Sequence, residues 1–222
     1  MKQTDRPVLN VYIAAVPAKE EPRPVYPPER ADRIASASDA LSRRERYAVW
    51  RLLERGVRHS FGWAMEDLRF TETDGKWGCD RLEFSLSHSG DLVAAAVSDA
   101  PVGVDVESLA AFAARGWDGD RVMRIARRVC APEELRGLKG GEDFLRLWTK
   151  KESIFKRVGG DGLLSGRIAA DAHETATFRL SRPAPCILSV CADAPERARL
   201  FLAEGTGLRP YAPEPAEEPP LL

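Results

Sequence analysis

Two carboxylates stand two positions apart in one short stretch of the chain. In the sequence APVGVDVESL, Asp105 and Glu107 alternate with valines. Because successive side chains of a β-strand point to opposite faces, the valines face one way and Gly103, Asp105 and Glu107 face the other. The polar face of a half-buried strand explains this pattern, and so does a bound cation that holds two like charges together.

A third carboxylate lies in a segment with helical spacing of apolar residues, FLRLWTKKESIFK. On a helical wheel, Glu152 and Lys151 fall inside the apolar arc, whereas Thr149, Lys150 and Ser153 fall outside it. A charge in such an arc needs a partner that compensates for its desolvation. Either an ion pair fills this need, or Glu152 is directed at Asp105 and Glu107. Three carboxylates without a nearby His or Cys suit a hard cation, and Mg²⁺ fits best beside phosphate oxygens.

Basic residues that could hold phosphate oxygens accompany these carboxylates. Lys156 follows Glu152 by one helical turn, His88 stands in LSHSG, and Lys76 stands in DGKWG. Arg46 belongs to a run of arginines at the start of a helix. Each also has an ordinary structural explanation: a surface ion pair, a hydrogen-bonded histidine, an exposed turn lysine or a charged helix face.

Apolar periodicity predicts the elements that position these residues. A first strand is predicted in VLNVYIAAV, and a long helix begins at Ser38 or Asp39 and ends at Gly62. A turn is predicted at Asp74-Gly75. The other predicted elements are strands in LVAAAV, VGVDVE, TATFRLS and CILSVCA, a helix over residues 120–129, and the helix GEDFLRLWTKKESIFKRV.

Helix followed by strands occurs twice along the chain. The sequence therefore predicts an α+β fold with two similar halves, over residues 1–100 and 101–207. The final segment, residues 208–222, is rich in proline and acidic residues, and we expect it to be disordered.

Composition limits the class of protein. The chain has 222 residues, 44% of them hydrophobic, and a formal net charge of −1, which gives no global attraction to nucleic acid or to an acidic membrane. Four cysteines without a CxxC pair favour free thiols in a reducing compartment. Because no apolar run approaches about 18 residues, and the N-terminus resembles a strand rather than a signal peptide, we expect a soluble, cytoplasmic protein.

Taken together, three linked motifs resemble those of the 4'-phosphopantetheinyl transferase superfamily, in its longer monomeric branch of two fused halves. The family pattern is an SHS element, then G-[IV]-D-x-E, then W-x-x-K-E-[AS]-x-x-K. The corresponding stretches here are SLSHS (85–89), GVDVE (103–107) and WTKKESIFK (148–156), in the same order. Three linked motifs are far more specific than any one of them.

The resemblance implies an activity and a set of site residues. Such an enzyme transfers 4'-phosphopantetheine from coenzyme A to a serine of an apo acyl or peptidyl carrier protein and releases adenosine 3',5'-bisphosphate. The site would lie in the cleft between the two halves, where Asp105, Glu107 and Glu152 bind Mg²⁺. Glu152 is also the expected base, directly or through a metal-bound water. The implied phosphate and nucleotide contacts are Arg46, Lys76, Ser87, His88 and Lys156, of which Lys156 also stabilises charge during transfer.

Two other functions remain open at this point. A Mg²⁺-dependent phosphodiester hydrolase would use the same carboxylates with water as its nucleophile. A non-catalytic carrier-binding module would retain the fold and bind its carrier without a metal. The resemblance favours the transferase, acting as a monomer on a carrier of fatty acid, polyketide or nonribosomal peptide synthesis.

Overall fold

The computed structural model describes residues 7–19, 24–73, 75–116, 119–159 and 168–213. These residues form a mixed α+β fold, as the sequence predicts. The strands are β1 (Leu9–Ala15), β2 (Phe70–Thr73), β3 (Lys76–Cys79), β4 (Glu83–Ser89), β5 (Leu92–Ser98), β6 (Gly103–Ser108), β7 (Thr175–Leu180), β8 (Cys186–Cys191), β9 (Arg199–Glu204) and β10 (Gly207–Tyr211). The α-helices are α1 (Pro28–Ala35), α2 (Ala40–Phe61), α3 (Leu109–Ala114), α4 (Gly119–Val129), α5 (Pro132–Arg136) and α6 (Gly141–Val158).

The strands within the described ranges form three sheets. The largest has the order β10-β9-β1-β5-β4, in which β1 runs parallel to β9 and antiparallel to β5. A second sheet has the order β6-β8-β7 and is antiparallel throughout. The hairpin β2-β3 forms the third. Because β9 and β10 join β1, the largest sheet contains strands from both sides of residue 100, and the division into two similar halves stays a prediction.

Two helices cover the outer faces of the two larger sheets, which pack against each other. Helix α2 packs on one face of the five-stranded sheet, where its buried Trp50 and Leu53 lie in the same hydrophobic core as Tyr12 of β1. The opposite face meets the β6-β8-β7 sheet through alternating apolar residues such as Val11 and Val104. Helix α6 covers the outer face of that smaller sheet, and its Phe144 packs with α4. The order of layers is therefore α2, five-stranded sheet, three-stranded sheet, α6.

Helix α2 begins and ends where its residues predict. The Asp39 side chain accepts a hydrogen bond from the backbone N–H of Ser42, which satisfies one of the free donors of the first turn. Gly62 ends the helix with φ 73°, a left-handed conformation that glycine adopts without steric penalty.

Helix α6 lies unusually close to β6 at Gly103. A Cβ atom at this position would stand 1.8 Å from the backbone oxygen of Ser153 and 2.8 Å from the backbone nitrogen of Arg157. Backbone atoms cannot move aside as the end of a flexible side chain can, so only glycine permits this contact. The glycine of GVDVE therefore lets the C-terminal half of α6 approach the strand that carries Asp105 and Glu107.

Most predicted elements are confirmed, and one boundary is wrong. The strands β1, β5, β6, β7 and β8 and the helices α2, α4 and α6 lie where periodicity predicts them. The tail starts later than predicted, because residues 208–211 belong to β10. Strand β10 is an edge strand, which tolerates its proline, Pro210. Asp74 and residues 214–222 lie outside the described residues.

Two further features bear on the sequence-based expectations. All four cysteines are free thiols, with Cys186 and Cys191 buried. No helix within the described ranges is long and apolar enough to cross a membrane.

Candidate active site

The two carboxylates of GVDVE lie on the outer face of β6, toward α6, as strand alternation predicts. Asp105 is buried, with 6% of its surface exposed, and Glu107 is half-buried. Asp105 pairs in register with Ser189 of β8, whose hydroxyl bonds to Thr149 of α6. Val104 and Val106 point into the core between the sheets.

Asp105 has two partners on one oxygen and none on the other. Its Oδ1 accepts hydrogen bonds from the Ser87 hydroxyl at 2.7 Å and from Lys156 Nζ at 2.6 Å. Its Oδ2 is buried and has no hydrogen-bond partner among the described residues. A buried carboxylate oxygen that lacks a partner is energetically unfavourable unless a further ligand completes the site.

Glu107 is held from two sides. Its Oε2 accepts a hydrogen bond of 2.6 Å from the Ser89 hydroxyl and lies 3.7 Å from the guanidinium of Arg115. Burial raises the pKa of the Glu107 carboxyl above its ordinary value, and the nearby negative charge of Asp105 adds to the rise, while the Ser89 hydrogen bond opposes it. Binding of a cation beside the two carboxylates would favour the ionised form of Glu107.

Glu152 is half-buried on α6 and has interactions of its own. Among the described residues, no group of three or more His, Cys, Asp or Glu side chains is arranged to hold a metal ion. The Mg²⁺ site of Asp105, Glu107 and Glu152 therefore stays a prediction. Two carboxylates are sufficient for Mg²⁺ when substrate phosphates and water supply the other oxygens.

The donor set fits that ion. Asp105 and Glu107 offer hard oxygen ligands, and the lone pairs of the buried Asp105 Oδ2 accept no hydrogen bond from the described residues. These two side chains would hold the cation.

Two lysines converge at the end of α6 that lies nearest Asp105. Lys156 Nζ reaches Asp105, and the backbone oxygen of Lys156 accepts a hydrogen bond of 3.1 Å from Lys76 Nζ. Lys76 comes from the β2-β3 hairpin, so three separate elements meet here. The structure thus brings Lys76, Lys156 and Asp105 together, although 80 residues separate the two lysines.

His88 faces the α2 side of β4, opposite to Ser87. Its Nδ1 lies 3.3 Å from Glu45 Oε2 on α2. The pKa of His88 is lowered, mainly because burial disfavours the charged ring; Lys156 and Arg46 lower it further, and Glu45 opposes them. Arg46 and Lys156 therefore lie close enough to His88 to act on its ring electrostatically, and cationic side chains grouped in this way are suitable ligands for phosphate groups.

Lys151 has a different role from Lys156. Its side chain is 2% exposed, and Nζ donates to Val129 O at 2.6 Å and to Glu134 Oε2 at 2.8 Å. Burial acts to raise the pKa of the Glu134 carboxyl. Hydrogen bonds from Lys151 and from the backbone N–H groups of Ala131 and Ala170 outweigh this effect, so the pKa is lowered. Lys151 therefore lies in the apolar arc, as the helical wheel predicts, and joins α6 to α5.

Sequence reasoning missed several contacts of this site. Glu45 was not identified as the partner of His88, nor Arg115 as the partner of Glu107. The contact of Ser89 with Glu107 was also missed, and here a signal exists: strand alternation in SLSHS places Ser85, Ser87 and Ser89 on one face. Ser87 was expected near the nucleotide, whereas its buried hydroxyl contacts Asp105.

Comparison with known proteins supports the motif assignment. Residues 101–204 match the family model of the 4'-phosphopantetheinyl transferase superfamily. The 4'-phosphopantetheinyl transferase psf-1 of Bacillus pumilus is 31% identical over 151 residues, which cover 62% of this chain and 61% of that protein. The 4'-phosphopantetheinyl transferase AcpT of Escherichia coli (strain K12) is 29% identical over 115 residues, which cover 51% of this chain and 58% of that protein.

A 4'-phosphopantetheinyl transferase of Bacillus subtilis is 30% identical over 104 residues, which cover 41% of this chain and 42% of that protein. The chain spans about three fifths of the length of the first two relatives. The matched region contains β6 and α6, which carry two of the three motifs. By these matches and by the spacing of those motifs, the chain is similar to members of the 4'-phosphopantetheinyl transferase superfamily over residues 101–204.

Proposed function

We propose that this protein transfers the 4'-phosphopantetheine group from coenzyme A to a serine hydroxyl of an apo acyl or peptidyl carrier protein. The other product is adenosine 3',5'-bisphosphate. The observation that supports this best is the arrangement around Asp105: a buried oxygen without a partner, beside Lys156 and next to Glu107. A diphosphate and a divalent cation would satisfy all three groups at once.

The cationic residues would bind and orient coenzyme A. Lys76, Lys156, His88 and Arg46 lie around one region, so several phosphate oxygens can be held by more than one donor. His88 would contact the 3'-phosphate, since a phosphate dianion stabilises the protonated ring. Holding the diphosphate in place lowers the entropic part of the activation barrier for attack by the serine hydroxyl.

Charge that develops on the phosphate oxygens needs stabilisation during transfer. Lys156 supplies a fixed positive charge at the edge of a partly buried site, where its effect is larger than in water. Mg²⁺ held by Asp105 and Glu107, with Glu152 as a further ligand, would neutralise diphosphate charge. Glu152 is the proposed base that accepts the proton of the carrier serine.

The partner and the architecture complete the proposal. The site would lie in the cleft between two similar halves of a monomer, open to a carrier that presents its serine. A basic stripe on α4 would face an acidic carrier: Arg121, Arg124, Arg127 and Arg128 are all exposed, whereas Val122 and Ala126 on the opposite side of the helix are buried. Opposite charges of this kind accelerate association and favour the correct partner.

Mass spectrometry of carriers tests the proposal. The protein is incubated with coenzyme A, Mg²⁺ and a panel of apo carrier proteins, and each carrier is weighed while adenosine 3',5'-bisphosphate is quantified. We expect one carrier or more to gain a phosphopantetheine group in amounts equal to the nucleotide released. Cleavage of coenzyme A at equal rates without a carrier would indicate a hydrolase instead. Carrier binding without transfer and without metal dependence would indicate a non-catalytic module.

A further inference from the structure

Within the part of the chain that the structure describes, one edge of strand β6 has no backbone partner. Its other edge pairs with β8, whereas the nearest strand on the free side is β4, the edge strand of the other sheet. Three serine hydroxyls of β4 fill this gap, because Ser85, Ser87 and Ser89 point to the same face. They accept hydrogen bonds from the backbone N–H groups of Val104 (3.0 Å), Val106 (3.2 Å) and Ser108 (3.2 Å). We call this row of contacts the serine seam.

Two members of the serine seam make a second contact. While Ser87 Oγ accepts the N–H of Val106, its own proton is donated to Asp105 Oδ1 at 2.7 Å. Ser89 Oγ accepts the N–H of Ser108 and donates to Glu107 Oε2 at 2.6 Å. A hydroxyl has one donor and two acceptor sites, so it can make both bonds at once. Each serine thus fixes a carboxylate relative to the backbone of the strand that carries it.

We infer that Ser87 and Ser89 are positioning residues for the metal-binding carboxylates, and this inference rests on the proposed function. Ser87 fixes Asp105 through Oδ1, so that Oδ2, the buried oxygen without a partner, is the one presented to the cation. Ser89 fixes Glu107 in the same way through Oε2. The SHS motif then has two faces, with His88 toward α2 and the two serines toward the carboxylates.

Two basic side chains compete with the metal ion for the carboxylates, which explains why the carboxylates need to be held in position. Lys156 contacts Asp105 at 2.6 Å, and Arg115 lies 3.7 Å from Glu107. Without the serine hydroxyls, each carboxylate could rotate toward its neighbouring cation and lose its orientation. Partners that orient a metal ligand typically change metal affinity by roughly 10–100-fold when they are removed.

Ser85 provides a matched control within the same strand. It is buried, and it accepts a backbone N–H as Ser87 and Ser89 do, but the β6 residue that corresponds to Asp105 and Glu107 at this point is Gly103, which has no side chain. Ser85→Ala therefore removes one backbone contact of the serine seam and no contact to a metal ligand. Comparison of Ser85→Ala with Ser87→Ala and Ser89→Ala separates positioning from packing of the two sheets.

The test measures binding of Mn²⁺, a paramagnetic substitute for Mg²⁺, by its electron paramagnetic resonance signal. Full-length protein is titrated with and without coenzyme A, and no carrier is present. We expect the affinity of Ser87→Ala and of Ser89→Ala for Mn²⁺ to be lower than that of the parent by a factor of about ten or more. Ser85→Ala should bind within about twofold of the parent, since its loss touches no ligand. Thermal unfolding of all three variants should shift by similar amounts.

The outcomes distinguish this inference from the transferase proposal. The positioning role would be overturned if Ser85→Ala, Ser87→Ala and Ser89→Ala bound Mn²⁺ with equal affinity. It would also be overturned if the parent bound no Mn²⁺, with or without coenzyme A. Weakened affinity in Ser87→Ala, with a parent that modifies no carrier, would support positioning and refute the transferase. If Ser87→Ala does not fold, Ser87→Cys retains the shape with a weak donor, and its affinity should fall below that of Ser85→Ala.

Discussion

Lys156 Nζ lies 2.6 Å from Asp105 Oδ1, although the two residues are 51 positions apart in the chain. The contact joins the last turns of α6 to the middle of β6, and the absence of a side chain at Gly103 permits the two elements to approach. A strand carboxylate and a helix ammonium group thereby share one site.

Lys156 and Lys150 should differ strongly in their effect on transfer. Lys156→Ala removes a positive charge beside the proposed diphosphate, and loss of one such stabilising group typically lowers kcat by about 10²–10³-fold. Lys150 lies about 120° from Lys156 around α6. Lys150→Ala should therefore leave kcat within about twofold of the parent value, which corresponds to roughly 0.5 kcal/mol. Steady-state kinetics with coenzyme A and an apo carrier that the parent modifies measure both. Equal losses in the two variants would refute the assignment of Lys156.

Lys151 should affect stability rather than chemistry. Its ion pair with Glu134 is buried, at 2% and 13% side-chain exposure, so Lys151→Ala leaves a carboxylate without its main partner. Breaking one partner of a buried pair costs about 3–5 kcal/mol of unfolding free energy. Urea denaturation of Lys151→Ala, with Lys150→Ala as the control, measures this loss. A variant as stable as the parent would show that the pair contributes nothing.

The sequence was informative where a local pattern decides structure. Period-two alternation predicts the orientation of Asp105 and Glu107, and the helical wheel predicts the burial of Lys151. The wheel was wrong for Thr149 and Ser153, which are buried because this side of α6 packs on the β6-β8-β7 sheet. The serine seam was not predicted, because it joins edges of two different sheets through side chains, and no local period encodes which strands meet. The pairing of His88 with Glu45 depends on how α2 packs across β4, which is likewise a tertiary property. Strand β10 was missed altogether, because its proline favours a loop except on an edge strand.

His88 should make stability depend on pH. Its pKa is lowered in the folded state, mainly by burial, with Lys156 and Arg46 adding to the effect and Glu45 opposing it. The unfolded chain, with an ordinary histidine pKa near 6.5, therefore binds a proton first as the pH falls, and folding becomes less favourable. His88→Gln removes this penalty.

The measurement compares unfolding free energies of the parent and His88→Gln at pH 7.5 and pH 5.5. The variant should gain stability relative to the parent at the lower pH. His173→Gln, which changes an exposed histidine, serves as the control and should show no such gain. A constant difference between parent and His88→Gln at both pH values would contradict a lowered pKa.

The basic stripe on α4 should govern the encounter with the carrier. Reversal of Arg121, Arg124 and Arg128 to Glu should raise the KM for an acidic carrier several-fold and flatten its dependence on salt, because exposed charges mainly affect association. The KM for coenzyme A should change little. Reversal of Arg197 and Arg209, two exposed arginines elsewhere, serves as the control. Unaltered carrier kinetics at low salt would leave the stripe without a role in docking.

Transfer by Asp105→Ala tests the central claim most directly, because this carboxylate would hold the cation on which the activity depends. The variant is incubated with coenzyme A, limiting Mg²⁺ and a carrier that the parent modifies, and the carrier is weighed over time. In Asp105→Ala the ammonium group of Lys156 loses its partner but is 26% exposed and can be hydrated, and the repulsion between Asp105 and Glu107 is removed, so we expect the protein to remain folded in circular dichroism and thermal unfolding. We expect transfer to be abolished. Transfer at the parent rate by folded Asp105→Ala would contradict the account.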